Sequence, residues 1–238
     1  MVVGAGVHAV TFSQDCLTRN DWICFEYVRT RSDQILEALQ EHVYITVVSL
    51  VFGFAVAFGL ALLARRRPRL RGLVLGVSTG LYTIPSLALF PLLLIPGLAL
   101  WGGLSSTTVI IGLVLYSLTI LTRGILAGLD GVSPDVKESA LGMGYARRRL
   151  LWQVELPTAL PTVFAALRVA AVSTVALTTV GVIVGHGGLG NLIFQGFQSN
   201  FNAQVLTASV LCVVLAVIAD LLLVGIERLM TPWRRVAA

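Results

Sequence analysis

Long apolar stretches alternate with short charged segments along most of the chain. A helix needs about 20 apolar residues to cross the hydrocarbon core of a bilayer. Five stretches reach that scale: residues 43–64, 73–95, 104–121, 158–184 and 203–226. Peptide groups inside lipid must be hydrogen-bonded within the protein, and these stretches are too long and too uniformly apolar for barrel strands. The pattern therefore predicts an all-α, polytopic membrane protein with about five transmembrane helices.

Composition supports the same prediction. Hydrophobic residues make up 56% of the chain and charged residues only 12%, against about 25% charge in soluble domains. This composition excludes a soluble enzyme, a disordered chain and a DNA-binding domain. The 17 basic residues exceed the 12 acidic ones, but they lie in short clusters between apolar stretches. Such clusters are typical of topology signals that contact anionic membrane lipid, so we expect lipid and no nucleic acid as a partner.

The basic clusters also predict the orientation of the chain. Thirteen of the 17 Lys and Arg residues fall on one side of a five-span arrangement, within residues 65–71, 123–149 and 228–235. Positively charged loops remain in the cytoplasm. We therefore expect a multi-pass plasma-membrane protein with its N-terminus outside and its C-terminus in the cytoplasm.

This orientation divides the chain into three parts. Residues 1–42 form an extracellular N-terminal tail that includes an interfacial helix, residues 43–226 form the transmembrane domain, and residues 227–238 form a cytoplasmic tail. The interfacial helix is predicted from helical spacing of apolar residues before the first span, where it lies on the outer surface and then turns into the membrane. These apolar residues are Ile35, Leu36, Leu39 and Val43.

The segment before this helix has little periodicity. Residues 1–20 are predicted to be either a disordered extension or a stretch that precedes the true start of the protein. Cys16 and Cys24 lie on the oxidising side of the membrane, where a disulfide is possible. We expect free thiols instead, because the segment around them looks unstructured.

The loop between the third and fourth spans contains a patterned segment, residues 134–155. The sequence Ser133-Pro134-Asp135 suits a helix start, with a capping hydroxyl, a proline in the first turn and a carboxylate at the positive end of the dipole. Gly142 and Gly144 break this helix before a second helical stretch. Two helices joined at a glycine form either a knob that enters a groove on a partner or an amphipathic hairpin that lies on the surface.

The spacing of this loop resembles the "EAA" loop of ABC-importer permeases. Glu138-Ser139-Ala140 is followed after three residues by Gly144 and, after nine more, by Val154-Glu155-Leu156-Pro157. Ser139 replaces an alanine of that pattern and Val154 an isoleucine. The resemblance implies a type I ABC-importer (MetI-like) permease fold and a coupling helix that docks into a separate ATP-binding subunit. It also implies a set of ATPase-coupling residues, namely Glu138, Ser139, Ala140, Gly144, Val154, Leu156 and Pro157.

Further segments are similar to the osmoprotectant permeases for glycine betaine, carnitine and choline. They are Thr83–Ala88, Gly142–Gly144, Leu167-Arg168 and Gly187–Gly190. The resemblance implies import of a solute of this class, delivered by an extracellular substrate-binding protein. Tyr82 and His186 depart from the expected pattern, and methionine permeases share the loop and the Gly-Gly-Leu-Gly segment. Methionine import therefore stays an alternative, and an ion-coupled secondary transporter is a more distant one.

Proline in the second span predicts a bend. Proline frees a backbone carbonyl within a helix, which either lines a transport route or produces a static kink. On the first interpretation, the residues near the translocation pathway are Tyr82, Thr83, Pro85 and Ser86.

Arg168 and Asp220 are the two charges inside the apolar stretches. A charge inside the membrane requires a partner or water. At 1.5 Å per residue they lie roughly 13 Å and 12 Å from the cytoplasmic ends of their spans. The equal depths predict an intramembrane ion pair, and the alternative is that each bonds separately to backbone or water.

The remaining expectations concern partners and chemistry. The only lysine, Lys137, follows Val136, so the chain has no Gly-x-x-x-x-Gly-Lys phosphate loop and cannot hydrolyse ATP through one. We expect no enzymatic activity, cofactor or metal. Five spans form a thin bundle, which indicates a second permease subunit, either identical or homologous. Phe194, Phe197 and Phe201 suggest an aromatic belt at the interface, or a docking face for the binding protein.

Overall fold

The computed structural model describes residues 15–233, and every regular element in that range is helical. The α-helices are α1 (Asp15–Thr18), α2 (Phe25–Thr30), α3 (Ser32–Arg66), α4 (Pro68–Thr83), α5 (Ser86–Leu100), α6 (Ser106–Asp130), α7 (Pro134–Gly142), α8 (Arg147–Leu150), α9 (Leu156–Thr178), α10 (Leu189–Gln198) and α11 (Asn202–Met230). A π-helical turn, Leu151–Glu155, joins α8 to α9, and a 3₁₀ turn, Thr179–Val184, follows α9.

The number of spans matches the prediction. Four continuous helical stretches are long and apolar enough to cross a membrane: Ser32–Arg66, Ser106–Asp130, Arg147–Val184 and Asn202–Met230. Helices α4 and α5 qualify together as a fifth, but they are bent by 105° at their junction. The all-α fold with about five transmembrane helices is confirmed.

The bend in the second span has a local cause. Pro85 has no N–H group to donate to the helix, and its ring disfavours helical geometry at the preceding residue. Ile84 accordingly adopts ψ 124°, which is extended, and α4 ends at Thr83. The bend predicted from the prolines of the second span is present, and it divides the span of residues 73–95 into two helices.

The core lies between α3, α6 and α9. Small residues permit the close approach on which membrane helices depend, since lipid provides no hydrophobic drive for their association. Gly124 faces Ala166 and Gly128 faces Ala159, with no room for a methyl group at Gly124. Buried alanine and leucine side chains fill the remaining space.

The predicted interfacial helix that turns into the first span is wrong. Helix α3 runs without a break from Ser32 to Arg66. Ile35 is buried, and it belongs to an apolar cluster with residues of α10 and α11. Ile35 and Leu39 pack on protein while Leu36 and Val43 are exposed, so the predicted apolar face is only partly covered and the helix continues without a turn.

The prediction of free thiols is also wrong, because Cys16 and Cys24 form a disulfide. The segment around them is folded: α1 and α2 pack at the end of the bundle, and Cys24 and Tyr27 are buried. The predicted disorder of residues 1–20 falls largely on residues 1–14, which lie outside the described range, while residues 15–20 include α1.

Candidate functional site

The first helix of the loop begins as its sequence predicts. Pro134 occupies the first turn of α7, and the Ser133 hydroxyl accepts a hydrogen bond from the Asp135 N–H at 3.3 Å. Ala140 is 2% exposed and faces inward. Its carbonyl accepts from the Tyr145 N–H at 3.1 Å, so the chain folds back onto the helix.

Most of the remaining surface of α7 and of the turn after it is open to solvent. Glu138 and Ser139 are exposed, and so are the large apolar side chains of Val136, Leu141 and Met143. Met143 is 72% exposed, at the tip of the loop. Apolar residues interleaved with a carboxylate and a hydroxyl on a short exposed helix form a surface suited to contact with another protein.

Gly144 produces the turn after α7. Its φ of +85° lies in the left-handed region, where residues with a Cβ are strained. Its N–H donates to the carbonyl of Leu141 at 2.9 Å, which ends the helix. Gly142, two residues earlier, remains helical, so only Gly144 needs to be glycine for its backbone geometry.

The base of the loop is fixed by a buried ion pair that the sequence reasoning missed. The Arg65 guanidinium donates to both carboxylate oxygens of Glu155, Nη1 to Oε2 at 2.6 Å and Nη2 to Oε1 at 2.5 Å. The Glu155 side chain is 6% exposed and that of Arg65 25%. The pair connects the end of α3 to the start of α9. An acidic residue just before an apolar span, with an arginine just after another, was the available signal.

The other predicted coupling residues divide into two groups. Glu138, Ser139 and Gly144 lie on the exposed knob, while Val154, Leu156 and Pro157 are half-buried at its base. Leu156 packs against the core of the bundle. The structure therefore separates an exposed part from a half-buried part within the single sequence motif.

A basic cleft lies between the knob and the end of α3. Its lining includes Arg65, Arg66, Lys137, Arg147 and Arg148. Nearby, Arg71 Nη2 binds Asp130 Oδ2 at 2.7 Å and connects α4 to the end of α6. The high local positive charge favours an acidic protein surface or anionic lipid headgroups beside the knob.

The residues predicted for the transport route lie at the break of the second span. Tyr82 and Thr83 end α4, and Ser86 begins α5, with Pro85 between them. The rings of Tyr82 and Tyr116 meet edge to face with centroids 5.6 Å apart. The Tyr116 hydroxyl donates to the carbonyl of Ile84. This carbonyl lies in the extended residue between the two helices, and the N–H groups of Ala88 and Leu89 bond to Pro85 instead.

A small polar cleft opens beside these residues. It lies between α4, α6 and α9 and is lined by Tyr82, Tyr116, Ser117, Ser173 and Thr174 together with apolar side chains. Polar residues at this depth of a membrane bundle are characteristic of a route or an interface rather than of a lipid-facing surface. Of the four predicted route residues, the structure places Tyr82 in the lining.

Arg168 and Asp220 lie together between α9 and α11. Arg168 Nε donates to Oδ1 of Asp220 at 2.7 Å, and Nη2 donates to Oδ2 at 2.8 Å. The side chains are 36% and 30% exposed. The paired, bidentate geometry neutralises both charges inside an otherwise apolar part of the bundle.

Comparison with known proteins places the chain in a family. The model for "Binding-protein-dependent transport system inner membrane component" matches residues 49–236. The glycine betaine/carnitine/choline transport system permease protein OpuCD of Bacillus subtilis (strain 168) is 34% identical over 210 residues, which cover 88% of this chain and 90% of that protein. The osmoprotectant import permease protein OsmW of Salmonella typhimurium is 34% identical over 193 residues, 79% of this chain and 89% of that one.

Solved structures show the same fold. The inward-facing MetNI methionine ABC transporter matches with a TM-score of 0.75 at 24% identity, covering 83% of this chain and 96% of that one. An amino acid ABC transporter with histidines matches with a TM-score of 0.72 at 17% identity, covering 87% and 98%. The predicted MetI-like fold is confirmed. On the family match and the extent of these relatives, the protein belongs to the inner-membrane components of binding-protein-dependent transport systems.

Proposed function

We propose that the protein is the membrane-spanning permease subunit of an ATP-driven importer for a compatible solute of the glycine betaine, choline or carnitine class. Relatives that align over most of the chain carry those solutes in their names, including OpuCD and a choline transport system permease protein, OpuBD, of Bacillus subtilis (strain 168). ATP hydrolysis belongs to a separate subunit. A second permease subunit and an external binding protein complete the transporter.

The observation that carries this proposal is the form of loop 134–155. It presents an exposed contact face around Glu138 and Ser139, and its base is locked into the bundle by Arg65 and Glu155. A displacement of the face by an ATP-binding subunit would reach α3 and α9 together. Such a rigid connection can convert closure of the ATPase into a tilt of the spans.

The two ends of the bundle support the proposed orientation. The arginine-rich ends of the spans and loop 134–155 lie at one end, and the Cys16–Cys24 disulfide lies at the other. Disulfides persist in oxidising compartments and are rare in the cytosol. This feature is independent of the charge distribution, and both support the proposal that the N-terminus lies outside and the loop in the cytoplasm.

The transport route is proposed to pass the break at Thr83–Ser86. The cleft beside Tyr82 has no charged residue in its lining, and the hydroxyl groups of Tyr116, Ser117 and Thr174 already donate to backbone carbonyls. We therefore propose it as an uncharged wall of the route rather than as a binding site for the solute. Arg168 and Asp220 neutralise each other, so we assign them to the connection of α9 with α11 rather than to the solute.

Reconstitution tests the proposal. The permease is placed in proteoliposomes with its ATP-binding subunit and its binding protein, and uptake of labelled glycine betaine is measured with competing choline, carnitine or methionine. We expect ATP-dependent uptake that choline or carnitine inhibits and methionine does not. Inhibition by methionine alone would instead assign methionine as the substrate. Uptake that persists without the ATP-binding subunit would favour an ion-coupled transporter and contradict the proposal.

A further inference from the structure

An open apolar groove lies between α3 and α9. Its volume is about 450 Å³, which is within the range of cavities that hold small molecules. Both helices belong to stretches long and apolar enough to cross a membrane. Only apolar and aromatic side chains line the groove, namely Phe54, Phe58, Trp152, Leu156, Leu160, Val163, Phe164, Leu167 and Met230.

The groove leads along α3 towards the basic cleft beside loop 134–155. One row of α3 side chains, spaced four residues apart, runs through both, because residues at this spacing share a helix face. Phe54 and Phe58 line the groove, and Leu62 and Arg66, the next two members of the row, line the cleft.

Trp152 marks the boundary on the opposite wall. Its ring packs against that of Phe58 with centroids 6.0 Å apart, and it is 50% exposed. Leu151 and Glu155, in the same π-helical turn, line the cleft. Tryptophan is enriched where an apolar region meets a polar one. The two cavities therefore adjoin and form one surface that is apolar at one end and basic at the other.

The cleft carries an excess of positive charge. Its single carboxylate, Glu155, is already bound at both oxygens by Arg65. Within residues 15–233, the other lining cations form no ion pair with a carboxylate; they are Arg66, Lys137, Arg147 and Arg148. The three arginines are exposed, and a planar guanidinium group suits bidentate binding of a phosphate.

The combination of the two halves limits what can fill them. A soluble subunit can place an acidic surface in the cleft, but the groove runs along two spans that such a subunit does not enter. A second copy of this chain can fill the groove, but the ends of its spans on that side are rich in arginine as well. An anionic phospholipid carries a phosphate and an acyl chain in one molecule, and basic pockets between spans bind such headgroups.

We propose that the groove and the cleft together bind one anionic phospholipid. Its phosphate lies at Arg66, Arg147 and Arg148, and one acyl chain follows Phe58 and Phe54 along α3. Because the cleft is also lined by α7 and α8, the bound headgroup contacts the coupling loop. The site holds lipid rather than the transported solute, so its failure would leave the proposed function unaffected.

The fluorescence of Trp152 tests the site in the assembled transporter. The transporter is placed in phosphatidylcholine nanodiscs that contain a small, fixed fraction of brominated phosphatidylglycerol or of brominated phosphatidylcholine. The signal of Trp152 is the difference between the wild type and Trp152→Phe, which keeps an aromatic ring in the groove. We expect the anionic lipid to quench at least about threefold more than the zwitterionic lipid, because several cations surround its phosphate.

Charge variants locate the headgroup. R147Q/R148Q is expected to reduce quenching by phosphatidylglycerol to the level of phosphatidylcholine, and both side chains are exposed, so folding is retained. The matched control is R67Q/R69Q, which removes the same charge from exposed arginines between α3 and the first turn of α4. We expect this control to keep the preference for phosphatidylglycerol.

Four results would overturn the proposal. Equal quenching by the two lipids in the wild type would show contact with bulk lipid only. Absence of quenching by either lipid would show that protein covers the groove. A preference that survives R147Q/R148Q would place the headgroup elsewhere. A preference lost equally in both double variants would indicate general attraction of anionic lipid to the basic end of the bundle.

Discussion

Gly144 and Glu155 determine the geometry of loop 134–155 at its two ends. Gly144 allows the left-handed turn that makes the knob, and Glu155 ties the base to the end of α3 through Arg65. The first residue acts through the backbone and the second through charge. Their effects on function and stability are expected to differ accordingly.

Substitution of Gly144 by alanine should disturb coupling more than stability. A Cβ at φ +85° costs roughly 1–2 kcal/mol, which the exposed loop can relieve by changing the direction of α7. We expect solute-stimulated ATPase activity and uptake to fall, with little change in the melting temperature of the purified permease. Gly142→Ala is the control, because a methyl group there meets open space in an ordinary helical conformation. Equal effects of the two substitutions would disprove the role of the turn.

Loss of either partner of the Arg65–Glu155 pair should destabilise the bundle. Removal of one member of a buried pair costs about 3–5 kcal/mol, and the partial exposure of Arg65 brings the expected loss to about 2 kcal/mol. Thermal unfolding of Arg65→Gln, Glu155→Gln and the double variant gives the interaction energy by a double-mutant cycle. We expect the double variant to be more stable than the sum of the single losses predicts. Strict additivity would show that the two residues do not interact.

At the scale of the helices, the connection between α9 and α11 depends on a polar contact inside the membrane. The remainder of α11 presents apolar side chains to the outside, from Val210 to Leu229. Arg168 and Asp220 therefore specify which face of α11 meets α9. At the other end of the helix, the rotation is fixed by the buried face of Ala203, Gln204, Val205 and Ala208.

This role predicts a specific pattern in variants of the pair. Arg168→Leu and Asp220→Leu each leave an unpaired charge in the membrane, and we expect lower yields of folded permease by size-exclusion chromatography. The double leucine variant should recover much of the yield, because it removes both charges. A double variant worse than either single one would indicate that the two residues serve separate partners.

The spans were predictable because lipid requires a minimum length of apolar helix. The loop helix was equally predictable, since the signals at Ser133, Pro134 and Gly144 are local. The bend of the second span was only suggested by Pro85, because its size depends on how α5 packs against α6. The fold of residues 15–31 was missed because its contacts join residues up to 182 positions apart, such as Asn20 and Asn202, and its helices are too short to show periodicity.

At the scale of the whole molecule, the exposed loop 134–155 and the N-terminal segment, residues 15–31, lie at opposite ends of the bundle and are joined by the same helices. Helix α3 runs from Ser32, next to the N-terminal segment, to the ion pair at Arg65, a length of about 50 Å. In the proposed cycle, ATPase closure moves one end of this helix and the binding protein meets the other. The second permease subunit encloses the route between them.

The candidate site was only partly predictable, because the end of α3 holds the base of loop 134–155 through a tertiary contact. The family resemblance identified the coupling motif as one unit, while the division into an exposed face at Glu138 and Ser139 and an anchor at Glu155 depends on tertiary contacts. An ion pair 90 positions apart in sequence leaves no periodic trace. The only sequence signal for this pair was a charged residue at the end of each of two separate apolar stretches.

Site-directed cross-linking of loop 134–155 tests the central claim most directly. Ser139 is exposed on α7, so Ser139→Cys, in a chain that also carries Cys212→Ser, places one accessible thiol on the knob. In native membranes we predict an adduct with the ATP-binding subunit whose yield changes on addition of ATP, and no labelling of intact cells by a membrane-impermeant maleimide. Labelling from outside the cell, or absence of the adduct in an assembled transporter, would contradict the account.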